Sequence, residues 1–323
     1  MAATSIPPPP SPKTIKGSIF PFRLHMLFPA TNPSRRPSPF SQTLFSYYLS
    51  PLASMTIITR IRISKPRRAI LVTGGAGFIS SHLVEALLAE GGWRVVVVDN
   101  FDEFYDPEIK RAKLAPHLLN PNLKLYEADI EDLEALQTIF TDNGFSALFT
   151  WQPALCAREF DVKQFLFGSP SSVYGLGAKA PFSENYKSTQ PISPYATSKS
   201  AGELLCYTCS HLYDIRCICL RFFPVYGPRQ HPDLAIHKFT SLIHQGKPIP
   251  LFGDGSSRYL IGAPEDTLGR KTRIDRKGEQ AGDMPITYAD ISKAGAMLGY
   301  KPKTQVQQGI VKLVAWYLSQ CGT

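Results

Sequence analysis

From residue 69 onward, short apolar runs alternate with stretches whose apolar residues recur at helical spacing. Continuous short runs are typical of strands that are buried on both faces of a parallel sheet. The predicted strands are Ile70–Val72, Trp93–Val98, Leu123–Tyr126, Ala147–Thr150, Val162–Phe167 and Arg216–Phe222. Helices are predicted between them, so the pattern indicates an α/β fold with a doubly wound parallel sheet.

A smaller region follows the last of these strands. Its pattern predicts helices near residues 236–244, 265–269, 290–298 and 306–318, one strand at Ile249–Phe252 and a basic loop after Gly269. We therefore expect a sheet domain at residues 69–224 and a smaller, incomplete C-terminal domain at 225–323.

The first predicted strand runs directly into a glycine-rich turn that opens a helix. Gly74 can take the tight turn, and Gly77 lets the backbone and the helix-start amides approach a pyrophosphate. The second strand ends in Asp99, which can accept hydrogen bonds from a ribose 2′-hydroxyl and would repel a 2′-phosphate. This unit predicts a Rossmann-type domain that binds NAD rather than NADP, although Ser80 stands where a third glycine usually eases helix–strand packing.

A second chemical motif is Tyr195 with Lys199, four residues apart on one face of a helix that Ser193 and Pro194 open. A lysine ammonium and a nicotinamide charge would lower the tyrosine pKa from about 10 towards neutrality. The phenolate could then remove a proton from a sugar hydroxyl while hydride passes to NAD⁺. The serine-rich end of the fifth strand, residues 168–175, would polarise the developing ketone. By itself, a tyrosine four residues before a lysine is more often an ordinary pair on a helix surface. In a chain that also has the glycine turn, the same pair favours a catalytic role.

Charge is distributed unevenly along the 323 residues. The net charge is +9, but residues 1–69 hold ten Lys or Arg and no acid, which leaves 25 basic and 26 acidic residues in the remainder. The near-neutral body argues against a general nucleic-acid binder. A nucleic-acid or scaffold role has only the basic leader in its favour.

The leader, residues 1–68, is expected to be disordered and is rich in Ser, Pro and Arg. It fits an organelle transit peptide, with the plastid as one destination. The alternatives are a disordered tail or a misplaced start codon, with Met55 as the true start and a cytoplasmic protein. A Golgi membrane anchor is less favoured, because Pro51 and several serines interrupt the apolar stretch at 43–58.

The cysteines could suggest a metal site, since Cys206 and Cys209 form C-x-x-C and Cys217 and Cys219 follow closely. The first pair lies in a predicted helix and the second on one face of a strand. Buried free thiols are the better interpretation, and we expect no metal.

Taken together, the motifs resemble the NAD-dependent epimerase/dehydratase family, the extended short-chain dehydrogenases. The residues that carry the resemblance are Thr73–Ile79, Asp99–Phe101, Ala128–Ile130, Ser171–Gly175, Pro194–Lys199, Leu220–Phe223, Val225–Arg229 and Phe252–Gly255. Two segments, 104–111 and 282–292, resemble the UDP-glucuronate 4-epimerase branch.

The resemblance implies 4-epimerisation of UDP-glucuronate or a similar UDP-sugar through a 4-keto intermediate. It implies NAD as cofactor, contacted by Gly74, Gly77, Phe78, Ile79, Asp99, Asn100, Phe101, Asp129, Ile130, Tyr195, Lys199 and Phe223. It assigns catalysis to Tyr195, Lys199, Ser171 and Ser172, and substrate binding to Ser172, Tyr174, Arg229 and Arg258. A homodimer is a further implication.

Three departures from the family stand out. Thr150-Trp-Gln-Pro-Ala-Leu-Cys156 replaces the family's His-x-Ala-Ala cofactor loop, and most of the following helix is absent. Pro170 occupies the position of the family's catalytic Ser or Thr, with Ser169 or Ser171 as substitutes. A segment after Arg258 is also missing. Two interpretations stay open: a working epimerase, or a catalytically impaired NAD-binding relative or truncated product.

Overall fold

The computed structural model describes residues 45–47, 68–152, 161–176, 178–186, 190–253, 259–278 and 288–321. The remainder of the leader, Cys156 and Arg258 lie outside the described residues. The described strands are β1 (Phe45–Tyr47), β2 (Arg68–Thr73), β3 (Trp93–Asp99), β4 (Leu123–Glu127), β5 (Ala147–Thr150), β6 (Gln164–Pro170), β7 (Arg216–Phe222), β8 (Ile249–Phe252) and β9 (Ile274–Lys277).

The described α-helices are α1 (Phe78–Glu90), α2 (Pro107–Leu114), α3 (Leu133–Asn143), α4 (Pro194–Tyr213), α5 (Ala235–His244), α6 (Tyr259–Leu268), α7 (Ser292–Leu298) and α8 (Val306–Gln320). Side-chain caps begin several of them: Asp106 accepts from the Glu108 amide, Asp132 from Glu134 and Ala135, and Ser193 from Ala196. These caps satisfy amides that a helix start leaves unpaired.

The main sheet has seven described strands in the order β1-β7-β6-β5-β2-β3-β4, and all of its pairs are parallel. The predicted Rossmann-type α/β fold is therefore confirmed. Strand order reverses direction between β2 and β5, and ligands of such sheets bind outside the carboxyl ends at this point. β1 lies inside the leader, at the sheet edge, where the sequence predicted disorder.

The central strands are buried on both faces, which explains their continuous apolar runs. One face carries Ile70, Val72 and Phe149 against α1, and the other carries Leu71, Val96 and Phe167. Burying a side chain of this size stabilises the fold by about 1.5–3 kcal/mol.

The C-terminal region contains one strand that the sequence analysis missed. β9 was predicted as part of a basic loop, but it pairs in parallel with β8. Its residues are half-exposed or exposed, so no apolar alternation marks it. The helix that was predicted at 265–269 begins earlier, at Tyr259, with Pro264 inside it. Ala294 and Tyr300 return to the core of the main sheet.

The predicted free thiols are confirmed at Cys206, Cys217 and Cys219, which are buried. Within the described ranges, no group of three or more His, Cys, Asp or Glu is placed to hold a metal ion. None of the helices in the described part of the chain combines the length and apolar character that a membrane span requires.

A buried ion pair ties α4 to the sheet. Arg221 in β7 donates from Nε and Nη2 to the Glu203 carboxylate at 3.0 and 2.8 Å, and Ser169 Oγ donates to Glu203 Oε1 at 2.6 Å. All three side chains are almost fully buried. The guanidinium also lies 4.5 Å from the centre of the Tyr174 ring.

Removing one partner of this pair should destabilise the fold strongly, because the other charge stays buried. For Glu203→Ala we expect a loss of about 3–5 kcal/mol in the free energy of unfolding, measured by urea denaturation. Glu127→Ala, which breaks an exposed pair with Arg111, is the matched control and should change the free energy of unfolding far less. Equal costs for the two variants would contradict the buried-pair interpretation.

Candidate active site

The glycine turn between β2 and α1 has the geometry of a phosphate-binding turn. Gly74 has a φ of +60°, which favours glycine, and its amide donates to Val98 O at 2.8 Å. Gly77 caps α1 without any side-chain hydrogen bond. The first amides of this helix are therefore available to an anion in the crevice.

Asp99 at the end of β3 holds this turn in place. Its Oδ2 accepts from the Ala76 amide and its Oδ1 from the Phe101 amide, both at 2.9 Å. Each carboxylate oxygen keeps a further lone pair that can accept from a ribose hydroxyl. Beside it, Asn100 Nδ2 donates to Asp129 Oδ2 at 2.8 Å, and Ile130 is half-buried.

These residues fit an adenosine diphosphate. Asp99 stands at the ribose position, the α1 amides stand at the diphosphate position, and Asp129 and Ile130 border the space for a base. The structure thus brings together Gly74, Gly77, Asp99, Asn100, Asp129 and Ile130 as the sequence predicted.

Across the glycine turn lies Trp151, which directly follows β5 and packs against the core on the α1 side of the sheet. The indole Nε1 donates to Ser80 Oγ at 2.9 Å, and its ring centre lies 5.5 Å from that of Phe149 and 5.3 Å from that of Phe222. A Cβ on Gly168 would lie 2.3 Å from Trp151 Cε3, so only glycine fits at this position of β6.

The position of Trp151 bears on the second half of the crevice, which is the part that would receive the nicotinamide half of NAD. With the adenosine end over β3 and β4 and the diphosphate at the glycine turn, the nicotinamide end must lie over β5, β6 and β7. Trp151 contacts residues of all three strands there. The residues at the glycine turn and at the end of β3 fit the adenosine and diphosphate portion of NAD, and Trp151 lies on the side of its nicotinamide half.

Tyr195 and Lys199 lie at this same rim, on the first turns of α4. The Lys199 Nζ is 5.8 Å from the centre of the Tyr195 ring, and it donates to the carbonyl oxygens of Trp151 and Gly168, the latter at 3.3 Å. Lys199 is 6% exposed, and burial lowers its pKa to about 8.

The expected lowering of the Tyr195 pKa is wrong for this structure. Partial burial raises the pKa of this phenol, a weak effect because the side chain is 56% exposed. The Lys199 ammonium is committed to two backbone carbonyls instead of the phenol.

The serine-rich segment presents fewer hydroxyls than its composition indicates. Ser169, offered above as a substitute for the missing hydroxyl, is fully buried and bonded to Glu203. Ser171 is half-exposed, and Ser172 Oγ is buried with no hydrogen-bond partner among the described residues. Among the serines of this segment, Ser172 is the one whose buried hydroxyl has no partner in the described part of the chain.

Several other predicted contact residues have buried side chains. Tyr174 and Phe223 are buried and lie 6.1 Å apart by ring centres, beside Phe182. Phe78 and Phe101 are buried as well. These four side chains are placed to support the crevice.

Arg229 lies at the mouth, with a left-handed φ of +66° and its Nη2 bonded to Glu85 at 2.7 Å. Its Nη1 is buried without a hydrogen-bond partner among the described residues. Close by, burial lowers the pKa of His82 to about 4, so this imidazole is neutral and bonds to Pro228 O.

Trp151 is the functional residue that motif matching missed. Its signal was indirect: Ser80 places a hydroxyl at a tight helix–strand contact, and a buried hydroxyl needs a partner. The partner is the indole of the replaced loop.

The chain matches known proteins over most of its length. Residues 148–267 match the NAD dependent epimerase/dehydratase family, and residues 71–149 match GDP-mannose 4,6 dehydratase. A UDP-glucuronate 4-epimerase of Thermodesulfobacterium geofontis is 31% identical over 308 residues, covering 76% of this chain and 95% of the relative. UDP-glucuronate 4-epimerase 4 of Arabidopsis thaliana is 32% identical, covering 77% and 75%.

Solved structures show the same similarity. The UDP-glucuronic acid 4-epimerase of Bacillus cereus, in complex with UDP-glucuronic acid and NAD, superposes with a TM-score of 0.71 at 25% identity. The match covers 78% of this chain and 99% of that one. Fold and crevice define a dinucleotide-binding protein of the short-chain dehydrogenase type. More narrowly, the chain belongs to the NAD-dependent epimerase/dehydratase family.

The contact between Gly168 and Trp151 can be tested by a double-mutant cycle. Gly168→Ala forces a Cβ into the indole and should cost about 1–3 kcal/mol in the free energy of unfolding. In a Trp151→Ala background the same change should cost much less, since the obstructing ring is gone. Urea denaturation of the four proteins measures the coupling, and additive costs would place Trp151 elsewhere.

Lys199 should make stability depend on pH in the alkaline range. Between about pH 8 and the ordinary lysine pKa of about 10.4, the folded chain has lost the proton and the unfolded chain still binds it. The free energy of unfolding of the wild-type chain should therefore rise with pH in this window, relative to Lys199→Met. Lys312→Met, at an exposed position, should show no such relative change.

Proposed function

We propose that the chain acts on UDP-glucuronate or a similar UDP-sugar and interconverts its C4 epimers. The observation that carries this proposal is Tyr195, whose partly exposed phenol lies one helical turn before the buried Lys199 at the carboxyl rim of the sheet. The named activity of both curated relatives supports the substrate class.

Three residues at the rim would take part in proton transfer and substrate binding. When bound, NAD would accept the C4 hydride and return it, while the Tyr195 phenol would exchange the proton of the C4 hydroxyl. Ser172 Oγ is free to bond to the reacting oxygen, since it has no partner among the described residues. The Arg229 Nη1, which has no partner within the described ranges, could donate to an anionic part of the substrate.

Two features predict slow turnover. Pro170 has neither a hydroxyl nor an amide hydrogen where the family pattern places a hydroxyl. Trp151 lies at the end of the crevice where a hydride acceptor would have to lie, against Phe149 and Phe222. One transition-state contact of this kind is worth about 10²–10³-fold in rate.

These same features favour a second candidate function. A nucleotide-binding relative with little or no epimerase activity would keep the adenosine end of the crevice and lose the reacting end. The Asp99 contacts at the adenosine end and the packed Trp151 at the other end support this alternative.

A homodimer and an organellar location belong to the proposal as well. Leu204 and Tyr207 on α4 are 69% and 50% exposed and lie three residues apart on one face, a pattern that a second copy could cover. The acid-free leader supports import into a plastid or another organelle, with the cytoplasm as the alternative.

The proposed reaction is tested by HPLC of UDP-glucuronate incubated with the full chain and NAD. We expect slow formation of UDP-galacturonate, a loss of about 100-fold in Tyr195→Phe and a gain of about tenfold in Pro170→Ser. Tyr207→Phe, on the same helix, is the matched control and should leave the rate unchanged. Activity that survives in Tyr195→Phe would refute the assignment of the phenol, and absence of any product would favour the second candidate.

A further inference from the structure

We propose that Trp151 makes this crevice selective for adenine nucleotides without a nicotinamide, of the ADP class, so that NAD gains nothing from its second half. The inference concerns the cofactor crevice of the proposed function and rests on that function only for the location of the crevice.

The first step is that the indole is held in place. Its Nε1 bonds to Ser80 Oγ at 2.9 Å, and its ring packs against Phe149 and Phe222. Its backbone carbonyl also accepts from the Lys199 ammonium. Moving this side chain breaks the bond to Ser80 and the aromatic contacts together.

The second step is that the chain is shaped around the indole. Gly168 leaves the space that the six-membered ring occupies, since a Cβ there would lie 2.3 to 2.8 Å from three ring atoms. Gly74 also borders it, because a Cβ there would lie 3.7 Å from Trp151 Cδ1. The indole thus lies directly beside the glycine turn, where a ligand leaves the diphosphate position and enters the second half of the crevice.

The third step is that the other half is intact. Asp99 is fixed by two backbone amides and keeps lone pairs for ribose hydroxyls. The first amides of α1 have no side-chain cap and suit the diphosphate. A ligand that ends at the diphosphate makes these contacts without meeting Trp151.

The consequence is that NAD loses its usual advantage in affinity over ADP. An open dinucleotide crevice binds NAD more tightly than ADP, since the nicotinamide riboside adds contacts. Here the nicotinamide riboside must displace a packed indole. The binding free energy that its contacts would add is offset by the cost of moving the indole.

The experiment measures dissociation constants of ADP, ADP-ribose and NAD for the full-length chain by isothermal titration calorimetry. We expect ADP to bind, and NAD to bind within about threefold of ADP. In Trp151→Ala we expect NAD to bind about tenfold or more tightly than in the wild-type chain, with ADP changed by less than about threefold. Trp316→Phe, on α8, is the matched control and should alter neither value.

The wild-type comparison needs no variant and decides the proposal even if Trp151→Ala fails to fold. Binding of NAD at least about tenfold more tightly than ADP, or co-purification of stoichiometric NAD, overturns it. So does an unchanged NAD affinity in a folded Trp151→Ala protein, or failure of ADP to bind.

Failure of the proposed function gives a different result. If Trp151→Ala binds NAD tightly but converts no UDP-glucuronate, the nucleotide selectivity stands and the epimerase assignment falls. If the wild-type chain binds NAD preferentially and converts the sugar, the selectivity falls and the epimerase assignment stands.

Discussion

The hydrogen bond between the Trp151 indole and Ser80 fixes the position of the indole beside the nucleotide crevice, and the rest of the site is arranged around it. It joins the segment after β5 to the first helix, across the place where strand order reverses. With it, the wall of the crevice is aromatic over β5, β6 and β7. The same contact explains two departures from the family pattern at once, because the serine at the third glycine position is the acceptor for the rebuilt loop.

The reacting groups at the rim are affected by that wall. Lys199 directs its ammonium to the backbone of Trp151 and Gly168, so the charge that would assist the Tyr195 phenol is used to anchor the loop. Ser169 is likewise used inside the protein, as part of the buried Glu203–Arg221 pair. The segment that should polarise the substrate therefore retains Ser171 and Ser172 alone.

Much of this architecture could be predicted from the sequence. Apolar runs predict the buried parallel strands, and the glycine turn with Asp99 predicts the adenosine end of the site. Both predictions succeed because they depend on the local sequence pattern. The strand β9 could not be found, since its exposed polar residues pair through the backbone and carry no periodic signal. The direction of the Tyr195 pKa shift could not be found either, because it depends on how far the fold buries the phenol.

Trp151 lies between these two cases. The sequence shows that the loop after β5 departs from the family pattern, but only the fold shows that the indole packs between β5, β6 and α1. Its pairing with Ser80 has a consequence for substitution at either position. Placing a glycine at position 80 alone would leave an indole N–H without its acceptor, and replacing the tryptophan alone would leave a hydroxyl facing a void. Each single change therefore costs stability, so the two positions are energetically coupled and a change at one is best tolerated with a change at the other.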